Sequence, residues 1–115
     1  MRVGLHIDLE NIEDRVILRI EGRIDAATVA LLERKIDSLL EEKHNRLLLD
    51  FTRVDYLSSA GMRLLLSATK KVKLNKGSLV LFSLNDEVEE VIKMAGFDKI
   101  LLICSNEKEA LQFRK

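Results

Sequence analysis

An apolar run that leads through two consecutive serines into a helical pattern is the feature that most constrains this chain. Positions 47–51 read Leu-Leu-Leu-Asp-Phe, and the mostly polar segment 52–57 interrupts the run. Apolar or small residues then recur at helical spacing, at Gly61, Leu65, Ala68 and Val72. The pattern predicts a buried strand, a loop over 52–57, and a helix that opens at Ser58-Ser59-Ala60-Gly61.

The two serines at this predicted helix start admit two interpretations. A serine hydroxyl in such a place accepts a hydrogen bond from a free backbone N–H and so caps the helix. Alternatively, the hydroxyl is a target that another protein modifies, because a helix N-terminus tolerates added negative charge. The residues alone favour capping and leave modification open for both Ser58 and Ser59.

The rest of the chain predicts an α/β fold in the order β-β-α-β-α-β-α-β-α. Period-two alternation predicts an antiparallel edge hairpin with its turn at 10–14, and apolar runs predict strands at 79–84 and 100–104. Helices are expected over 25–43, capped by Asp25, over 86–95, ended by Gly96, and after the capping box Asn106 to Glu109. For the helix 86–95 the spacing predicts these inward residues: Val88, Val91, Ile92 and Ala95. A mixed, mostly parallel sheet of about five strands with about four helices follows.

Length and composition indicate one domain over residues 1–115. No apolar run approaches the about 20 residues that span a bilayer, and the N-terminus lacks the apolar core of a signal peptide. Cys104 is the single cysteine, which is typical of a reducing compartment, so we expect a cytoplasmic protein. The 19 basic and 19 acidic residues balance, and there is no Trp, so neither nucleic acid nor a membrane is an expected partner.

Catalytic signals are missing from the sequence. His6 and His44 have no spacing to a serine or carboxylate that suggests a general base, and no Cys/His cluster suggests zinc. Gly61 belongs to no glycine-rich phosphate loop. We therefore expect no enzyme, no catalytic residue, no metal and no cofactor.

The stretch around the serines resembles the signature of the STAS family, small domains found in bacterial anti-sigma factor antagonists and in sulphate transporter tails. Its signature is an apolar strand, then Asp or Asn, and later Asp-Ser-[Ser/Thr]-Gly before a helix. The matching positions are Asp50, Val54, Leu57, Ser59 and Gly61. Ser58 stands in place of the signature Asp, and Ala60 in place of the second Ser/Thr. Positions 18–25 resemble the family's strand ending in Gly-x-apolar-Asp, so the likeness covers nearly the whole chain.

The resemblance implies a STAS-like fold and the function of an anti-sigma factor antagonist. Its unphosphorylated form would bind an anti-sigma factor that is also a serine kinase, phosphorylation of Ser59 would release it, and a serine phosphatase would reset it. The residues expected at the partner surface are Asp25, Ser58, Ser59, Gly61, Met62 and Arg63. The alternative is a STAS scaffold or small-ligand module without phosphorylation, in a stress-sensing or lipid-transport assembly. An unrecognised enzyme is a third possibility that no acid/base set supports.

Overall fold

The structure, a computed structural model, describes residues 4–113. It contains five strands and four α-helices in the predicted order, and one 3-10 turn that was not predicted. The strands are β1 Leu5–Ile12, β2 Arg15–Ile24, β3 Arg46–Leu57, β4 Ser78–Phe82 and β5 Leu102–Cys104. The helices are α1 Val29–Glu41, α2 Ser59–Leu74, α3 Asp86–Met94 and α4 Glu107–Gln112, with the 3-10 turn at Phe97–Lys99.

The strands form one sheet in the order β1-β2-β3-β4-β5, with β1 antiparallel to β2 and the remaining neighbours parallel. Each parallel crossover advances in the same direction, and crossovers are right-handed, so α1, α2 and α3 lie on one face. The main core lies between that face and those helices. It includes Leu18, Leu49 and Leu81 from the sheet and Leu32 and Leu65 from the helices.

The second face of the sheet is covered only in part. Among the described helices α4 alone packs there, with Ala110 against Ile17, Leu48, Val80 and Phe82. The uncovered half is polar, because the side chains that β1, β2 and β3 direct to this face include many charged ones. Near-continuous apolar runs are typical of strands covered on both faces, and β3 and β4 are covered in this way only where α4 lies.

Arg19 organises that polar half. Its guanidinium donates hydrogen bonds to Glu10 of β1 at 2.7 Å, to Asp50 of β3 at 2.8 Å and to Glu107 of α4 at 2.8 Å. The hydrogen bond to Glu107 is the largest cause that raises the pKa of Arg19 above its ordinary value. Partial burial acts to lower this pKa, and the bonds to Asp50 and Glu10 raise it further. Three separate elements are therefore tied to one cation.

The strand boundaries differ from the sequence prediction. The hairpin turn is only Glu13 and Asp14, and Glu13 has φ of 58°. Segment 52–57 is not a loop, because β3 continues to pair with β2 as far as Leu57, opposite Ile24. Two exposed residues precede each of the buried residues Val54 and Leu57. The register shifts of the β2–β3 pairing break strict alternation here, which is why the segment reads as a break.

The start of α1 and the buried face of α3 also differ from the sequence prediction. The predicted N-cap Asp25 lies four residues before α1, where it closes a turn, and Thr28 occupies the N-cap position without a side-chain cap bond. In α3, Val88 and Ile92 are buried as predicted, whereas Val91 is 36% exposed and Ala95 is exposed. Only these two residues of α3 face inward, because the helix contacts the sheet along one narrow stripe of its surface. Gly96 ends α3 with φ of 80°, and Asn106 caps α4, both as predicted.

Candidate functional site

The segments that follow β2 and β3 lie side by side. Ile24 and Leu57 are register partners at the ends of these parallel strands, and the Ser58 N–H donates to the Ile24 carbonyl at 2.9 Å. Asp25 and Ser58 therefore leave the sheet from neighbouring positions. This is the carboxyl end of the parallel strands, where open α/β sheets gather their functional groups.

The two serines have different environments. Ser58 is the N-cap of α2, and its Oγ accepts a hydrogen bond from the Gly61 N–H at 3.2 Å. Ser59 is the first residue of the helix and is exposed, and its hydroxyl makes no hydrogen bond to any of residues 4–113. The structure thus assigns capping to one serine and leaves the other hydroxyl facing solvent. Capping is therefore confirmed for Ser58, and modification of Ser59 stays a prediction.

Gly61 and Met62 lie beneath this surface. A Cβ at Gly61 would fall 2.6 Å from Leu57 Cδ1 and 2.9 Å from Ile24 Cγ2, so only glycine lets α2 approach the strand ends this closely. Met62 is 9% exposed and packs in the main core. Both residues were expected at a partner surface, but they expose little area and instead pack beneath the exposed residues of that surface. Arg63 is exposed one turn along the helix from Ser59.

Asp25 lies in a turn held by its own side chain. Its Oδ1 accepts hydrogen bonds from the N–H groups of Ala27 at 3.0 Å and Thr28 at 3.2 Å. Desolvation acts to raise the pKa of Asp25, but these bonds, with those from the Thr28 hydroxyl and Arg23, hold it below its ordinary value. Asp25 therefore presents a fixed negative charge beside the start of α2.

Arg23 and Tyr56 also lie at the site, although neither was predicted to be a site residue. They are register partners on β2 and β3, and the Arg23 guanidinium carbon lies 4.3 Å from the centroid of the Tyr56 ring. The same guanidinium lies 3.5 Å from the Asp25 carboxylate, and Tyr56 is 43% exposed. Exposed residues come in pairs over 52–57, so the segment lacks the period-two alternation that would have placed Tyr56 on a strand.

The described residues contain neither a candidate membrane-spanning helix nor a metal-binding cluster. Within residues 4–113, no helix combines the length and the apolar composition that crossing a bilayer requires. The same part of the chain holds no group of three or more His, Cys, Asp or Glu side chains that could share a metal ion.

Comparison with known sequences gives one family and several full-length relatives. The family model for the STAS domain matches residues 6–110. BtrV of Bordetella bronchiseptica is 31% identical over 106 residues, covering 92% of this chain and 90% of that protein. The anti-sigma-B factor antagonist of Listeria monocytogenes is 27% identical, covering 95% of each chain. Antagonists of this kind are regulators and not catalysts, in agreement with the predicted absence of an enzyme.

Solved structures show the same fold. A Thermotoga maritima protein superposes with a TM-score of 0.87 at 22% identity, covering 92% of both chains. The anti-sigma factor antagonist SpoIIAA in its unphosphorylated form gives 0.78 at 21% identity, covering 93% of this chain and 94% of that one. The five-stranded mixed sheet with its N-terminal antiparallel hairpin and four helices is therefore the architecture of these proteins, as predicted.

Proposed function

The chain belongs to the STAS domain family, and we propose that it acts as an anti-sigma factor antagonist. Relatives that carry this function in their names match it over almost their whole length. The domain then works by docking to an anti-sigma factor and so freeing a sigma factor for transcription. It is a ligand and a substrate of other proteins, with no reaction of its own.

We further propose that Ser59 is the phosphoacceptor that ends this docking. The observation that carries the proposal is the division of labour between the two serines: Ser58 caps α2, while the exposed Ser59 hydroxyl is bonded to no described residue. Phosphorylation of Ser59 therefore leaves the cap bond intact. A phosphate there sits at the positive end of the helix dipole, where the first N–H groups have no intrahelical partners.

A dianion at Ser59 changes the surface without unfolding the domain. It adds about −1.5 to −2 charges where Asp25 already supplies a negative charge next to the helix start. A partner that docks over this point must desolvate or pair that charge, which weakens the complex. The anti-sigma factor would be the serine kinase that adds the phosphate from ATP, and a metal-dependent serine phosphatase would remove it.

Phosphotransfer is the first test. The purified chain is incubated with the anti-sigma factor kinase encoded in the source genome and ATP, and the modified residue is mapped by mass spectrometry. Phosphate on Ser59 supports the assignment, and the Ser59→Ala variant should remain unmodified while Ser58→Ala is still phosphorylated. Phosphate on Ser58 alone, or on neither serine, would contradict it.

Calorimetric titration against the same kinase, without ATP, tests the switch. Ser59→Asp should bind at least about tenfold more weakly than the parent chain, equivalent to about 1.4 kcal/mol. Ser67→Asp is the matched control, since it adds the same charge at an exposed position two turns along the same helix. Binding by Ser59→Ala should stay close to that of the parent.

The titration also separates the alternative function. If the parent and Ser59→Asp bind the kinase equally tightly, and no phosphate is transferred, Ser59 is only a helix residue. The chain is then a STAS scaffold or ligand module without phosphorylation, and the proposal of a switch at Ser59 should be abandoned.

A further inference from the structure

β1 is an unusually open sheet edge. It runs for eight residues, Leu5–Ile12, and pairs with β2 residue for residue without a bulge. It contains neither Lys nor Pro, the residues that commonly block an edge strand. The other edge, β5, is only three residues long. The β1 edge therefore offers a row of backbone groups that another strand could use.

The direction of these backbone groups follows from one hydrogen bond. The Gly4 carbonyl accepts from the Arg23 N–H at 3.2 Å, which continues the β1–β2 register. Because backbone groups alternate in direction along an antiparallel strand, the even-numbered residues bond to β2. The odd-numbered residues direct their N–H and C=O groups outward; they are Leu5, Ile7, Leu9 and Asn11. Within residues 4–113 no strand pairs with that side.

We propose that β1 pairs with β1 of a second copy of this chain, antiparallel, about a two-fold axis at Ile7. The two five-stranded sheets then become one ten-stranded sheet. In this register Ile7 opposes Ile7 of the second copy, and Leu5 opposes Leu9. All of these are residues with outward backbone groups, so each opposed pair exchanges two hydrogen bonds.

Polar complementarity favours this register over its neighbours. On the polar face it places His6 opposite Asp8 of the second copy, twice, in the closely spaced non-hydrogen-bonded pairs. Within one chain His6 Nε2 already lies 3.1 Å from Asp8 Oδ2, so the two pairs would form one network of four side chains. A two-fold axis at Asp8 would instead set two carboxylates directly opposite each other, and an axis at His6 would oppose two imidazoles.

Apolar burial supports the same register. Leu5 and Ile7 pack against the main core on the helix-bearing face, whereas Leu9, on the same side of β1, is 43% exposed. Pairing with Leu5 of the second copy would cover Leu9. The two-fold axis also sends the two Ser59 sites to opposite ends of the continuous sheet, because it reverses the strand direction. Pairing therefore leaves both sites accessible.

Sedimentation equilibrium of the full chain, from micromolar to submillimolar concentration, tests the proposal. We expect a concentration-dependent species of twice the monomer mass. Leu9→Pro removes an outward N–H that β2 does not use, and should remain monomeric at every concentration. Leu9→Ala is the control that keeps the N–H, and should still dimerise, though more weakly. Circular dichroism and thermal melting confirm that each variant is folded.

A charge exchange tests the register. His6→Asp opposes like charges at both pairs and should weaken dimerisation by about tenfold. The double variant His6→Asp with Asp8→Lys places a carboxylate opposite an ammonium group in each pair and should recover the dimer. A parent chain that is monomeric throughout, or a dimer that survives Leu9→Pro, would overturn the proposed edge pairing. Failure of the charge exchange to weaken and then rescue the dimer would overturn the register centred on Ile7.

Discussion

The Ser58 hydroxyl oxygen lies 3.2 Å from the Gly61 nitrogen and accepts its N–H, which makes Ser58 the N-cap of α2. The STAS signature has Asp at this position, and Ser and Asp are both good caps because each offers an oxygen to the N3 N–H. The chain therefore departs from the signature in residue type and keeps the cap. The neighbouring Ser59 hydroxyl faces solvent and bonds to none of residues 4–113.

Removing the cap should destabilise the domain, whereas removing the next hydroxyl should not. Ser58→Ala is expected to lower the free energy of unfolding by about 1 kcal/mol, since the Gly61 N–H loses its acceptor. Ser58→Asp should retain the stability of the parent. Ser59→Ala should stay within about 0.5 kcal/mol, as is usual for an exposed substitution. Urea unfolding at neutral pH measures all three, and equal losses for the two alanine variants would refute the division of roles.

Gly61→Ala should be destabilising although alanine is the better helix former. The added Cβ would meet Leu57 Cδ1 at 2.6 Å and Ile24 Cγ2 at 2.9 Å, and the Ile24 carbonyl oxygen at 3.1 Å. Overpacking of this kind costs about 1 to 3 kcal/mol, which exceeds the about 1 kcal/mol gained in helix propensity. Ser67→Ala, at an exposed position of the same helix, is the control and should be neutral or slightly stabilising. A melting temperature for Gly61→Ala at or above that of the parent would contradict the close packing.

Two residues of α2 should separate stability from binding. Leu65 is fully buried, so Leu65→Ala should cost about 2 to 5 kcal/mol of stability. Arg63 is exposed, so Arg63→Glu should change stability by no more than about 0.5 kcal/mol. Calorimetric titration with the anti-sigma factor kinase should nevertheless show weaker binding for Arg63→Glu. Similar drops in melting temperature for both variants would mean that the helix faces are misassigned.

Stability at acid pH should depend on Asp50. Partial burial acts to raise the pKa of Asp50, but the Thr52 hydroxyl and N–H and the Arg19 guanidinium outweigh it, and the pKa lies below its ordinary value. A carboxyl whose pKa is lowered by folding stabilises the native state above the unfolded pKa of about 3.9. That contribution is lost as the pH falls through the folded pKa.

Asp50→Asn checks this sign. At neutral pH the variant should be about 1 to 3 kcal/mol less stable, because charged hydrogen bonds to Arg19 and Thr52 are lost. Below about pH 4 the difference from the parent should shrink, since the carboxyl of the unfolded parent is then protonated first and the folded one follows at its lower pKa. Asp55→Asn, at an exposed strand position, serves as the control. A difference that stays constant from pH 7 to acid would rule out the linkage.

Local interactions determined most of the fold, and they could be predicted from the sequence. Hydrophobic periodicity identified every strand and helix in order, and short-range caps such as Asn106 and Gly96 are where the pattern placed them. Such signals are available because a cap or a buried stripe depends on residues only three or four positions apart. The family resemblance then pointed to Ser59 and its neighbours, whose role remains a prediction.

Contacts between distant segments decided the rest. Segment 52–57 is a strand because β2 lies beside it, and Met62 is buried because α2 packs onto the main core. Pairing of β2 with β3 also places Arg23 over Tyr56 beside the serines, 33 positions apart in the chain. The sequence by itself determined which elements form and in what order, since those depend on local pattern. Only tertiary packing decided what surrounds the serines, because the Arg23–Tyr56 contact and the close approach of Gly61 to Ile24 join segments that lie far apart in the chain.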